Sequence, residues 1–153
     1  MTRFVIDEVV LYNAHTGKDS KGNINRNATR FFLDFCDSGH NLALNNKIKG
    51  KYHHLNEKLQ NQKFVLNVPS LLHQLLMNKQ RVEFFEKSSL DFEGPKKCDT
   101  EFVRVSKESQ GFLVTEDDPL ITIIKSKGLS QLVKTLKIQD ARQLLNSLRS
   151  KLG

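Results

Sequence analysis

Three aspartates, Asp7, Asp99 and Asp117, occupy positions from which their carboxylates could meet around a hard cation. Phe4-Val5-Ile6-Asp7 and Gly111-Phe112-Leu113-Val114-Thr115-Glu116-Asp117 are short apolar runs, rich in β-branched residues and Phe, that end in acid. Such runs read as strands buried on both faces, as in a parallel sheet. Ligands of these sheets bind outside the carboxyl ends of the strands. Asp7 and Asp117 are therefore expected close together although more than a hundred residues separate them. Asp99 opens an amphipathic segment before the second run and adds a third carboxylate. Hydrolysing a phosphodiester near neutral pH requires a nucleophile, neutralised phosphate charge and a stabilised leaving oxygen. Mg²⁺ or Mn²⁺ held by hard oxygen ligands supplies all three. Carboxylates gathered without an ion repel one another, a cost that only a function would maintain.

The elements that must position these acids follow from the pattern of apolar residues. Strands are expected at about residues 3–7, 41–45 and from Gly111 onward, with an edge strand at 132–136; residues 81–86 fit a helix or a strand equally well. Between them fall Val9–Ala14 as a short helix or turn, a helix capped by Asn27, and a basic helix from about Lys47 to Gln60. Further helices are expected from near Ser70, over Asp99–Ser109, from Pro119 to Gly128, and after a capping Asp140. The polar loop Thr16–Asn25 is the candidate substrate-contacting segment. Strands alternating with helices predict an α/β fold, a three-layer α/β/α sandwich around a mainly parallel sheet.

A chain of 153 residues is long enough for one full core and too short to expect two, so a single domain over 1–153 is expected. The net charge of +7 favours an anionic partner, most economically nucleic acid; the plainer alternative is a basic surface that keeps a small protein soluble. Cys36 and Cys98 lack a CxxC spacing and read as reduced core thiols of a cytoplasmic protein. No apolar stretch approaches a membrane span, and the N-terminus lacks the pattern of a signal peptide. Serine and cysteine nucleophile motifs, Gly-rich phosphate loops and dinucleotide fingerprints are absent.

The acidic segments also resemble the motifs of PIN domains. Phe4-Val5-Ile6-Asp7-Glu8-Val9-Val10-Leu11 resembles the family's opening strand, Lys97-Cys98-Asp99-Thr100-Glu101-Phe102-Val103-Arg104-Val105 its third acidic motif, and Leu113-Val114-Thr115-Glu116-Asp117-Asp118-Pro119-Leu120 its last, a strand ending Thr-x-Asp. Together the motifs stand in the family's order and cover most of the chain. The resemblance implies a Mg²⁺- or Mn²⁺-dependent endoribonuclease acting on single-stranded or structured RNA. It implies that Asp7, Asp99 and Asp117 ligate metal and activate water, that Thr115 orients the cluster, and that Asn45 fills a polar slot beside it. Asp118 either ligates a second ion or caps the helix at Pro119. The family also permits a homodimeric toxin neutralised by an antitoxin-like protein.

One departure stands out. PIN domains usually carry a Glu on the helix after the second strand, where this chain has Lys51. The exchange changes the local charge by two units and removes a metal ligand. Either Lys51 contacts the scissile phosphate in a working enzyme, or catalysis is lost and an RNA-binding or interaction module remains. Lys47, Lys49, Lys51, Lys58 and Lys63 make this region a basic patch, suited to a phosphate backbone or to simple solvation. Tyr52 and the Phe31-Phe32-Phe35 group are expected in the core.

Overall fold

Parallel strands need crossovers of a dozen or more residues, and most of this chain is spent on them. The computed structural model describes residues 2–87, 90–96 and 99–152, with side chains as far as residue 149; the expectation for Cys98 lies outside the described residues. In chain order the elements are β1 (Arg3–Ile6), α1 (Glu8–Thr16), α2 (Asn27–Asp37), β2 (Asn41–Leu44), α3 (Asn46–Leu59) and α4 (Val68–Met77). They continue with β3 (Val82–Phe84), α5 (Asp99–Ser109), β4 (Phe112–Val114), α6 (Asp118–Ser126), β5 (Lys134–Leu136) and α7 (Ile138–Leu152). All four strand pairings are parallel, in the order β3-β2-β1-β4-β5.

The chain thus steps outward from β1 to β3, crosses back, and steps outward again from β4 to β5. Right-handed crossovers in opposite directions put α1–α4 on one face and α5 and α6 on the other, a three-layer α/β/α sandwich. The helix α7 returns against α2. Residues 81–86 resolve into a strand: Leu42 and Leu44 hydrogen-bond to Arg81 and Phe85 on either side of β3.

β1, β2 and β4 are buried at nearly every position, as strands covered on both faces must be. The Phe4 ring meets Phe31 and Phe35 of α2 edge-on, with centroids 6.4 and 5.5 Å away. Arg81 closes the lower end of α2, donating to the carbonyls of Phe35, Cys36 and His40 while lying over the Phe35 ring. Cys36 is a free thiol, pushed up to about 11 by burial.

Three helix starts differ from the sequence-based expectation. Asn27 lies inside α2, whose N-cap is Arg26; the Asn27 side chain instead accepts from Arg142. α4 begins at Val68 because Asn67 caps it, leaving Pro69 in the first turn where its missing N–H costs nothing. α7 starts at Ile138, so Asp140 sits in its first turn and is not the cap.

Candidate active site

The register of β1 and β4 builds the centre of the site. Ile6 pairs with Val114, so the residues leaving the sheet next, Asp7 and Thr115, emerge side by side at its carboxyl edge. The two strands are also the switch point at which the strand order reverses. The Thr115 hydroxyl donates to Asp7 Oδ2 at 2.8 Å and accepts from the Asp117 amide at 3.1 Å. Thr115 therefore ties two of the acids together by hydrogen bonds.

Helix starts supply the remaining geometry. Asp7 caps α1, accepting from the Val9 amide at 3.2 Å. Asp117 caps α6, accepting through Oδ1 from the Leu120 amide at 3.1 Å. Asp99 is the first residue of α5 and accepts from the Lys96 amide at 2.9 Å. Three helix N-termini thus carry acids at the same sheet edge, and their positive ends offset part of the negative charge. Gly94 makes the approach of α5 possible: a Cβ there would stand 2.4 Å from the Cβ of Asp99.

The three carboxylates sense one another. Burial pushes Asp7 up to about 6, with the Asp99 charge adding to the rise and the Thr115 and Val9 hydrogen bonds opposing it. Burial also raises Asp99, which feels the charges of Asp117 and Glu8. Oδ2 of Asp117 is buried and accepts no hydrogen bond. It pairs with the Lys96 ammonium, 3.7 Å away, on a side chain that is 57% exposed. Lys96 draws down the pKa of Asp7 and Asp99 as well, so its ammonium faces all three acids.

The donor set suits a hard divalent cation: carboxylate oxygens, one of them orphaned, beside an ammonium that supplies the balancing charge. As placed, however, no group of three His, Cys, Asp or Glu among the described residues is arranged to hold an ion. Lys96 competes for the same charge. For an ion bound at these oxygens, Lys96→Ala is expected to tighten Mn²⁺ binding about fivefold, since one exposed unit charge at this range is worth about 1 kcal/mol. Calorimetric titration at low salt measures it, and an unchanged affinity would take Lys96 out of the charge balance.

Among the other expected residues, Asp118, Asn45 and Lys47 have partners other than the three acids. Asp118 does not cap α6 and does not join the cluster; it is exposed and pairs with Lys137 at 2.6 Å. Asn45 caps α3, accepting from Ile48, and its amide donates to Glu101 at 3.3 Å. Lys47 pairs with the same Glu101 at 3.4 Å. Lys51 is half-buried on α3, next to the fully buried Tyr52, whose hydroxyl donates to the Ile6 carbonyl. Two further acids lie in these segments. Glu101 is buried in the first turn of α5 among Asn45, Lys47 and Arg104; Glu8 follows Asp7 directly and lies near enough to raise Asp99. Their positions two and one residues from assigned aspartates were the only available signal.

No family model, curated protein or solved structure matches this chain.

Proposed function

We propose that this protein is a metal-dependent endoribonuclease. What supports the reading is that Asp7 and Asp117 leave the adjacent strands β1 and β4 and share hydrogen bonds with Thr115, while Asp99 lies near enough for its charge to act with theirs. Asp7, Asp99 and Asp117 would hold Mg²⁺ or Mn²⁺, which when bound supplies an activated water and neutralises phosphate charge. Thr115 fixes the orientation of Asp7. The Lys96 ammonium can leave Asp117 for a phosphate oxygen, since its side chain reaches solvent. The basic residues of α3 and the net charge of +7 favour a polyanionic substrate. A cytoplasmic setting agrees with the absence, among the described residues, of any helix long and apolar enough to cross a membrane.

Cleavage of a fluorogenic single-stranded RNA in Mn²⁺ tests this. Asp117→Asn is expected to lower the rate at least about a hundredfold, the scale of losing a ligand or its orientation. Equal rates for the two proteins, or undiminished cleavage in EDTA, would sink it. A second reading, a catalytically silent RNA-binding module, is favoured by Lys51 at the position of the usual acid and by Lys96 among the carboxylates. Lys51→Glu separates the two: a large gain in metal affinity and cleavage favours the silent module, and a loss of cleavage makes Lys51 a working residue.

A further inference from the structure

A second feature begins where the acid cluster ends. Glu8 and Val9, the first residues of α1, line one end of an open cleft of about 1110 Å³. Its walls are α1, the loop 17–26, the C-terminal half of α3 and the segment 62–65. The other side of the same loop borders Glu116 and Ile138, which follow β4 and β5, so the loop stands at the carboxyl edge of the sheet.

The cleft joins two properties that soluble surfaces usually keep apart. Three apolar side chains lie open along it: Ile24 is 77% exposed, Phe64 56% and Val65 47%. Lys18, Arg26, Lys58 and Lys63 also line it, against Glu8 and Asp19. Asp19 is already engaged, accepting from the amides of Lys21 and Asn23 at 3.0 Å. Lys58 lies over the Tyr12 ring, 5.5 Å from its centroid, which places a cation directly beside an aromatic face.

The walls are built in advance. Val65 donates to the His15 carbonyl at 2.9 Å, and the Phe64 ring packs on the His15 ring, pinning segment 62–65 to α1. Gly17 ends α1 in the left-handed region at φ 70°, and its carbonyl accepts from Arg26 at 3.0 Å and from Asn25 at 2.9 Å. A bridge between Lys18 and Ile24 holds the loop as a narrow hairpin.

We propose that this cleft binds an unpaired nucleic-acid strand, with bases stacked on Phe64 and Ile24 and phosphates held by Lys18, Lys58 and Lys63. Exposed aromatic and apolar faces interleaved with lysines suit a strand whose bases are free, and stacking tolerates any base. A duplex hides its base faces and offers the cleft only charge. The proposal rests on the nuclease reading in one respect: a strand in the cleft passes Glu8 and so delivers its next phosphate to Asp7 and Asp99.

Fluorescence anisotropy in EDTA tests it, with labelled twelve-nucleotide oligo-U RNA, oligo-dT DNA and an RNA duplex. The single strands are expected to bind and the duplex at least about tenfold more weakly. Phe64→Ala is expected to cost single-strand affinity about tenfold. Lys58→Gln, a change at the surface of α3, is expected to lower the salt slope of binding by about 0.7. A preference for oligo-U over oligo-dT, or the reverse, identifies the natural strand and supports the proposal either way. Equal affinity of wild type and Phe64→Ala, or duplex binding as tight as single-strand binding, overturns it. So does tight binding of a labelled acidic amphipathic peptide that the oligonucleotides fail to displace. Strand binding without Mn²⁺-dependent cleavage would remove the nuclease reading and leave the cleft. Cleavage with Phe64→Ala binding like wild type would do the opposite.

Discussion

Asp7→Asn is expected to make the protein more stable at pH 7.5, by about 2 kcal/mol, while abolishing the RNA cleavage proposed for it. The carboxyl is buried, and its pKa rises from 3.8 to about 6 in the fold. At about 1.4 kcal/mol per unit, keeping it ionised costs the native state about 3 kcal/mol. Asparagine removes that cost and its single oxygen remains a good N-cap for the Val9 amide, while its NH2 takes the place of the oxygen that accepted from Thr115, whose hydroxyl must then turn to accept. Some of the gain is lost because the new amide group finds fewer partners. The sign of the pH dependence follows. The penalty is fully present above the folded pKa and disappears as pH falls through about 6 toward the unfolded value near 4. The stability gap between variant and wild type should therefore be wide at pH 7.5 and nearly closed at pH 4. Glu83 behaves in the opposite sense: hydrogen bonds from Arg3 and Asn41 lower its pKa, so its contribution is lost as pH falls. Urea unfolding of both proteins at the two pH values decides the matter. A variant less stable than wild type at pH 7.5 would show that Asp7 serves the fold and is not held there against its cost.

The strands were legible because a parallel sheet buries both faces and leaves continuous apolar runs such as Phe4-Val5-Ile6 and Phe112-Leu113-Val114. The helix α5 was legible because Phe102, Val103 and Val105 fall on one side of a segment opened by an acid. β3 was ambiguous because only three residues of Arg81–Glu86 pair, and its side chains are only partly buried. Caps were the weak point. Asp117 and Asp118 both precede Pro119, and only the spacing from carboxylate to the third helical amide, Leu120, selects the former. Asp118 then faces outward to Lys137.

The same limit applied to the site. Periodicity and strand ends point to Asp7, Asp99 and Asp117, because residues leaving a parallel strand or opening a helix there share an edge. Nothing local distinguishes Glu101 from an exposed helix acid, since its burial depends on Asn45 and Lys47 arriving from α3. Lys96 lies in an irregular segment, and its place among three carboxylates arises only when Gly94 lets that segment close on Asp99. Asn45 leaves β2 at the same edge of the sheet, and its role as the N-cap of α3 can be read from its place before the helix. Its amide donates to Glu101, whose other partners are Lys47 and Arg104.

Tyr52→Ala carries the largest expected loss of stability. The side chain is wholly buried, and deleting an aromatic ring from a packed core costs about 3–5 kcal/mol. Against a total of about 5–15 kcal/mol for a domain, such a loss would leave the variant marginal. The hydroxyl has a separate role. It donates to the carbonyl of Ile6, the residue before Asp7, and so fastens α3 to the end of β1. Tyr52→Phe keeps the ring and removes only this tie, with an expected cost of about 1–2 kcal/mol from the unmet carbonyl. Two effects can then be separated. If the tie holds Asp7 in place, Tyr52→Phe should lower kcat for RNA cleavage with KM unchanged, at temperatures where the variant is fully folded. Should Tyr52→Phe cleave at the wild-type rate, the phenol would matter only to packing, and Asp7 would owe its position to Thr115 and the start of α1 alone.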